Sequence, residues 1–137
     1  MVPRQRPSGL ASVFGALELR VLEALWRRGI EASVRDIVEE FPHAAYTTVM
    51  TTMERLHRKG VLVRRKDGRA YLYTPAQSRE QLESTFVATA IEPLLNGASA
   101  RPILSCFVEE VSRHDERLLD ELERLVQLKR RQNEGGR

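Results

Sequence analysis

Basic side chains gather in one short stretch of the chain, and their chemistry suits the binding of phosphate. Between Arg55 and Arg69 the sequence holds seven Lys and Arg residues against the single Asp67, a net charge of +6 in fifteen residues. Such a cluster can bind the backbone of a nucleic acid, the surface of a membrane or an acidic protein. Charge alone does not choose among these partners, so the choice depends on the elements that carry the cations.

Threonines accompany the first of these cations in a predicted helix. Thr47, Thr48, Thr51 and Thr52 fall within six positions, although threonine is a mediocre helix former. The spacing predicts a helix from residue 46 to residue 59 that is ended by a glycine. Its apolar face carries Tyr46, Val49, Met53 and Leu56, and its opposite face carries Thr48, Thr51, Thr52, Arg55 and Lys59. The threonine hydroxyls either contact a ligand or bond back to the preceding turn.

A basic β-hairpin is predicted directly after this helix. Asp67-Gly68 is a strong signal for a two-residue type I′ turn between strands at residues 61–65 and 70–74. The cross-strand pairs set by that turn are Lys66 with Arg69, Arg64 with Tyr71 and Leu62 with Tyr73. The face expected to pack on the helices carries Val61, Val63, Ala70 and Leu72. The other face then presents cations and phenols.

Two more helices are predicted before the threonine-rich one. The first spans about residues 17–28, and the second begins at the cap Ser33 and ends before Pro42. Residues 1–14 are predicted to form a flexible arm whose Arg4 and Arg6 can touch DNA. Three helices followed by a basic hairpin make a winged helix-turn-helix domain, expected here at residues 15–76. In that geometry the third helix lies in the major groove and the wing reaches the backbone or minor groove.

This geometry turns the polar side chains of the third helix and wing into a predicted DNA-binding surface. Short hydroxyls allow a close approach to DNA, and cations supply affinity for phosphate that is independent of sequence. The predicted DNA-binding residues are Thr47, Thr48, Thr51, Thr52, Arg55, Lys59, Arg64, Lys66 and Arg69. The charge distribution agrees, since residues 1–77 carry a net +5 and residues 78–137 a net −2.

Residues 77–137 are predicted to form a helical dimerisation region, so the fold class is mostly α. Amphipathic helices of this total length are too small to build a convincing core alone, and pairing with a second copy is the economical solution. The predicted interface residues are Phe86, Ile91, Leu104, Phe107, Leu118, Leu122 and Leu125.

Other reactive residue types give no sign of catalysis. The single Cys106 excludes an internal disulfide, and its apolar neighbours predict a buried, inert thiol. His43, His57 and His114 lack metal-ligand spacing, and no glycine-rich phosphate loop is present. We therefore expect no enzyme activity, metal or cofactor. No stretch approaches the roughly 20 apolar residues of a membrane span, so we expect a cytoplasmic protein that does not bind membranes directly.

A family resemblance follows from these residues. The run from Leu17 to Leu22 with Trp26, the stretch AYTTVMTTMERL from Ala45 to Leu56, and the wing from Arg64 to Tyr73 resemble the penicillinase and methicillin-resistance repressors, the BlaI/MecI family. The resemblance covers about residues 15–75 at the level of motifs. It implies a homodimeric bacterial repressor that binds inverted-repeat operators, with the C-terminal helices forming the dimer.

The resemblance also implies a route of release. In the family, an induced membrane sensor metalloprotease cleaves the repressor in its C-terminal part, commonly between Asn and Phe, and the nearest equivalent here is Cys106-Phe107. The copper-responsive branch carries four C-terminal cysteines, so the single cysteine of this chain disfavours copper sensing. A protein-interaction adaptor with the same winged-helix fold, binding an acidic partner in place of DNA, is the main alternative. An enzyme using Cys106 or histidine ranks third.

Overall fold

The computed structural model describes residues 9–97 and 100–136. The chain divides into two compact units, Met1–Val87 and Ala88–Arg137. In chain order the elements are a 3₁₀ turn Gly9–Ser12, α1 Ala16–Arg28, α2 Val34–Val38, α3 Tyr46–Arg58, β1 Leu62–Asp67, β2 Ala70–Pro75, α4 Arg79–Leu95, α5 Ala100–His114 and α6 Glu116–Gly135. The mostly helical fold class with a hairpin wing is confirmed.

The end of the predicted N-terminal arm belongs to the core. Leu10 is fully buried and Phe14 nearly so, and the N–H groups of Val13 and Phe14 both donate to the Leu10 carbonyl at 3.0 Å. The prediction of a flexible arm was therefore wrong for residues 9–14, because two apolar side chains four residues apart anchor this segment. Arg4 and Arg6, whose contact with DNA was only one of the possibilities for the arm, lie outside the described residues.

Local sequence signals explain where the first helices begin and end. Gly29 follows α1 in the left-handed conformation, with φ of 69°. Ser33 caps α2 by accepting from the Asp36 N–H, and the Asp36 carboxylate accepts in return from the Ser33 N–H. The hydrogen bond from the Ser33 N–H to the carboxylate is the main cause of a lowered pKa at Asp36. The core packed between α1, α2, α3 and the wing is formed mainly by Val21, Leu22, Leu25, Ile37, Val49, Met53, Leu56, Leu62 and Tyr73.

The wing differs from its prediction in register and in orientation. Asp67 pairs with Ala70 and Arg64 pairs with Tyr73, so the turn residues are Gly68 and Arg69. Gly68 has a φ of +62°. Among the described residues positive φ occurs only at glycines, so the second turn residue, Arg69, does not have it. Positive φ at the first turn position alone fits a type II′ turn, not the predicted I′ turn.

The core-facing side of the wing is also the opposite of the predicted one. Leu62 is 1% exposed, whereas its neighbour Val63 is 53% exposed. Tyr73 explains the choice of face, because its N–H and carbonyl exchange hydrogen bonds of 2.8 and 3.0 Å with Ala32. This bridge holds β2 so that the large Tyr73 ring fills the core, and Leu62 follows on the same face.

The chain after the wing is helical in its described residues. Ser78 and Gln81 form a reciprocal cap at the start of α4, and Leu82 in its first turns reaches the core. The two compact units divide after Val87, within α4, and the dimerisation region predicted from residue 77 stays a prediction. Within the second unit α5 packs against α6, and neither helix has a buried residue. In the described part of the chain no helix is long and apolar enough to cross a membrane.

Candidate nucleic-acid interface

Helix α3 presents three distinct faces. Its core face buries Val49, Thr52, Met53 and Leu56. A second face, with Tyr46, Met50 and Glu54 at steps of four, is turned toward the wing. His57 is half-buried, and the exposed side chains that remain define what we call the free face: Thr47, Thr48, Thr51, Arg55 and Arg58. A single helix is thus held by the core while one polar face stays open to a ligand.

Thr52 does not belong to the exposed face that the sequence predicted. It is 5% exposed, and its Oγ1 donates to the Thr48 carbonyl at 2.8 Å. For this threonine the local explanation, a hydroxyl bonded back to the preceding turn, is correct. Thr47, Thr48 and Thr51 remain exposed, so three of the four predicted threonines can reach a ligand.

Two of the predicted DNA-binding cations are engaged within the protein. Lys59 Nζ lies 2.8 Å from Oε2 of the buried Glu18. The guanidinium of Arg64 stacks on Tyr71, 4.1 Å from the ring centroid, and donates to the Tyr73 hydroxyl at 3.3 Å. That hydrogen bond raises the pKa of Arg64. Both side chains therefore already have structural partners before any ligand binds.

Other cations of the first unit are also paired. Arg65 donates to Glu31 through Nε at 2.8 Å and through its terminal nitrogen, and this pair lowers the pKa of the Glu31 carboxyl. The further paired cations are Arg27 and Arg28 with Glu40, Arg79 with Glu23, and Arg20 over the Phe41 ring.

The unpaired cations fall on one surface. Among the described Lys and Arg residues of the first unit, those without an ion pair or an aromatic contact are Arg35, Arg55, Arg58, Lys66 and Arg69. They lie at the start of α2, on the free face of α3 and at the tip of the wing. Arg35 and Arg58 are not among the DNA-binding residues that the sequence predicted. Their signals were the helical step of three from Arg55 to Arg58 and the place of Arg35 in the first turn of α2.

A cleft of about 490 Å³ separates the wing from the starts of α2 and α3. Its lining includes Arg35, Tyr46, Met50, Glu54, Arg69 and Tyr71. Ala45 at the start of α3 provides no side-chain cap, so the first amides of α3 point outward at the positive end of the helix dipole. Two guanidiniums and these amides give this edge of the cleft an anion-binding character.

The predicted interface residues of the C-terminal half are apolar and largely uncovered. Leu104, Phe107, Leu118 and Leu125 are between 43% and 52% exposed, while Ile91 and Leu122 are half-buried. Phe86 differs, because its ring already lies against Gly9 within the first unit. Cys106, expected to be buried, is exposed in the single chain. Its position on α5 beside Phe107 puts the predicted cleavage site on an accessible helix.

Histidine, cysteine and carboxylate groups do not come together elsewhere. Within residues 9–97 and 100–136, no three such side chains are grouped closely enough to hold a metal ion. His43 and His114 are exposed and His57 is half-buried. The chemistry that the first unit offers is therefore that of hydroxyls and guanidiniums on a rigid helix and a wing.

The three-helix unit with its hairpin wing defines a winged-helix protein. Residues 14–127 match the family model described as penicillinase repressor, and the chain belongs to that family of transcriptional regulators. Transcriptional regulator BlaI of Mycobacterium tuberculosis, from strains CDC 1551 / Oshkosh and H37Rv, is 34% identical over 100 residues, which cover 71% of this chain and 72% of the relative. The protein is therefore a BlaI-type transcriptional repressor and not an enzyme.

Solved structures give more distant similarities. The crystal structure of Rv0081 from M. tuberculosis is 22% identical, with a TM-score of 0.44, and the match covers 72% of this chain and 88% of that one. The crystal structure of the transcriptional regulator SlyA is 15% identical with a TM-score of 0.43, covering 85% of this chain and 83% of that one. At these scores they carry no argument about how this chain acts.

Proposed function

We propose that the protein is a homodimer that represses transcription by binding inverted-repeat operator DNA. The free face of α3 enters the major groove, and the wing tip lies against the phosphate backbone. The observation that carries the proposal is the division of the cations of the first unit into those with a partner inside the protein and those without one. In the described first unit, those left without a partner surround the exposed face of α3, and the rest are neutralised or stacked. A surface selected only for solubility has no reason to show this division.

The free face of α3 has the chemistry to read base edges. Thr47, Thr48 and Thr51 are short enough for close approach, and each offers a hydroxyl to a base or phosphate and a methyl group to thymine. Arg55 and Arg58 are long enough to reach guanine or phosphate beyond them. The burial of Thr52 restricts base reading to the remaining three threonines.

The cleft beside the wing suits the sugar-phosphate backbone. Arg35 and Arg69 line it from opposite sides, and the uncapped start of α3 adds backbone amides. Phosphate contacts fix the register of a protein on DNA without carrying sequence information. We therefore assign positioning to the cleft and the wing tip, and sequence readout to the free face.

The second unit supports a homodimer. Apolar side chains on α5 and α6 remain exposed in the single chain, and neither helix has a buried residue. Exposed apolar surface of this extent marks an interaction site. A second copy covers it symmetrically, and such a dimer presents two α3 helices to an inverted repeat.

The test is a selection followed by a salt titration. Duplexes are selected by the full-length protein from a random-sequence pool, and affinity is then measured by fluorescence anisotropy at several salt concentrations. The five unpaired cations of the described first unit predict a log–log salt slope near −9 for a dimer, at roughly 0.9 per phosphate contact. Selected inverted repeats are expected to bind roughly a thousandfold or more tightly than random DNA. Equal, weak binding to both would overturn the proposal in favour of a protein-binding adaptor.

We further propose that cleavage between Cys106 and Phe107 by a membrane sensor metalloprotease releases the repressor from DNA. Both residues are exposed in the single chain, but the bond lies inside α5. A protease must therefore open a turn of this helix, and dimerisation through Phe107 opposes cleavage. Intact mass spectrometry of the repressor from induced cells should find a fragment ending at Cys106. Loss of repression with the chain intact would contradict this route.

A further inference from the structure

One ion pair joins the start of α1 to the end of α3. Glu18, in the first turn of α1, is 8% exposed, and its Oε2 accepts from Lys59 Nζ at 2.8 Å. Lys59 is the residue that closes α3. The other carboxylate oxygen of Glu18 accepts from the Gly15 N–H at 3.4 Å. The two helices therefore meet through groups that are also part of their own termini.

The surroundings of the pair restrict both side chains. Lys59 Nζ lies 5.5 Å from the centroid of the Phe14 ring, and Phe14 is part of the core. Glu18 stands at the positive end of the α1 dipole and Lys59 at the negative end of the α3 dipole, so each charge is favourable for its own helix. The ammonium of Lys59 is thus held by a carboxylate and an aromatic face.

The pair adds a directional contact to the apolar packing between α1 and α3. The hydrophobic contacts of Val21, Leu25 and Met53 are non-directional. A charge-assisted hydrogen bond has a short, well-defined length. In this pair the Glu18 carboxylate is buried, whereas the Lys59 side chain is 41% exposed. A small slide of α3 along its axis would displace every side chain of the free face from the base edges.

We infer that Glu18 and Lys59 are a positioning pair that sets where α3 stands in the domain, and that Lys59 does not contact DNA. This inference rests on the proposed DNA-binding function. It reassigns Lys59, which the sequence places among the DNA-binding cations, to a role inside the protein.

The test replaces both charges by uncharged groups of similar shape. In the double variant E18Q/K59M, the introduced glutamine keeps an acceptor for the Gly15 N–H, and the introduced methionine keeps an unbranched chain against the Phe14 ring. The variant K59R keeps the cation and serves as the conservative rescue. The control variant K66M replaces lysine by methionine, as at position 59 of the double variant, but at an unpaired cation of the wing tip. All are measured as full-length protein on the inverted repeat selected by the wild type and on a random duplex.

The expected result separates positioning from phosphate contact. E18Q/K59M should stay folded and bind the selected duplex about tenfold more weakly, equivalent to about 1.4 kcal/mol, with unchanged salt slope and unchanged binding to random DNA. K59R should restore the affinity. K66M should instead reduce the slope by about 1.8 for the dimer, at roughly 0.9 per contact. The inference is overturned if E18Q/K59M behaves like K66M, or if its affinity for the selected duplex equals that of the wild type.

A measurement without DNA keeps this inference separate from the proposed function. The amides of Gly60 and Val61 donate to the carbonyls of His57 and Leu56 at 3.0 Å at the end of α3. In E18Q/K59M these amides should exchange with deuterium faster than in wild type, with the thermal midpoint nearly unchanged. If E18Q/K59M exchanges faster and the wild-type protein selects no operator, the pair does position α3 but the proposed DNA binding is rejected. Unchanged exchange would reject the pair.

Discussion

The two units of the chain bury their apolar side chains to very different degrees. In the first unit, residues from α1, α2, α3 and the wing close around one core, where Leu22, Ile37 and Met53 are fully buried. In the second unit, α5 and α6 are equally amphipathic but contain no buried residue. The first unit has a second layer, made by the wing and α2, to cover its helices. Two helices packed on each other lack such a layer.

This difference shows what an amphipathic pattern does and does not specify. The pattern tells which face of a helix is apolar, and the partner that covers this face depends on what the rest of the chain supplies. In the first unit the partner is internal, so the free face of α3 is presented on a rigid support. In the second unit the partner is a second copy in our proposal, so stability and DNA binding both depend on association.

The largest effect is expected from a charge placed on the uncovered apolar surface. Leu125 on α6 is 46% exposed in the single chain, so Leu125→Asp disturbs little within one chain. It should nevertheless give a monomer by sedimentation equilibrium, with helical circular dichroism retained. Operator affinity should fall by about 10² to 10⁴, since the avidity of two linked α3 helices is lost.

The matched control adds the same charge on another face of the same helix. Gln127→Asp, two residues further on α6, should remain dimeric with wild-type affinity for the operator. If Leu125→Asp also stays dimeric, the interface lies elsewhere, and the contrast between the two units would need another explanation.

Two neighbouring residues of β1 test the covered surface of the first unit. Leu62→Ala should lower the free energy of unfolding by about 3 kcal/mol, because it removes a fully buried side chain and leaves a cavity. Val63→Ala, on the exposed face, should change it by less than about 0.5 kcal/mol. Urea denaturation of both variants measures the difference. The face predicted from the sequence requires the reverse order, so these two variants also test the correction of the wing.

Local signals predicted the helices well. Each of these signals lies within a few residues of the helix that it defines. They are the steps of three and four in α1 and α3, the Ser33 cap and the glycines after α1 and α3. For this reason the order of elements and the winged-helix fold were predictable. The threonine-rich helix was identified correctly, as was the exposure of Thr48 and Thr51.

The wrong face of the wing and the unforeseen Glu18–Lys59 pair concern contacts between residues distant in sequence, whereas the burial of Thr52 and the turn at Gly68 are local departures. Ala32 bridges Tyr73 and so decides the face of the wing, and Glu18 lies 41 residues from the lysine that it binds. Neither partner is visible in the pattern around the residue that it controls. The division of the cations into paired and unpaired likewise requires coordinates, since Arg65 and Lys66 are neighbours in sequence and differ only in their partners.

That division predicts different effects for two arginines of the wing. Arg69→Ala should weaken binding to all duplexes similarly and reduce the salt slope by about 1.8 for the dimer, at roughly 0.9 per phosphate contact. Arg65→Ala removes an arginine that is already paired with Glu31, so the slope should hardly change. Anisotropy titrations between low and physiological salt measure both. Equal slopes for the two variants would mean that internal pairing does not decide which cations bind phosphate.

The smallest effect should come from two adjacent threonines of α3, both changed to the isosteric valine. Thr51→Val removes an exposed hydroxyl and should change the discrimination at one base pair of each half-site by about 1 kcal/mol, the lower end of the range for a base contact. Thr52→Val removes the hydroxyl bonded to the Thr48 carbonyl. It should alter only stability, by about 1 kcal/mol or less. Repeating the duplex selection with each variant shows whether sequence preference moves with Thr51 alone. A changed preference for Thr52→Val would mean that the core face of α3 also governs readout, and uniform weakening by Thr51→Val would place that hydroxyl on phosphate.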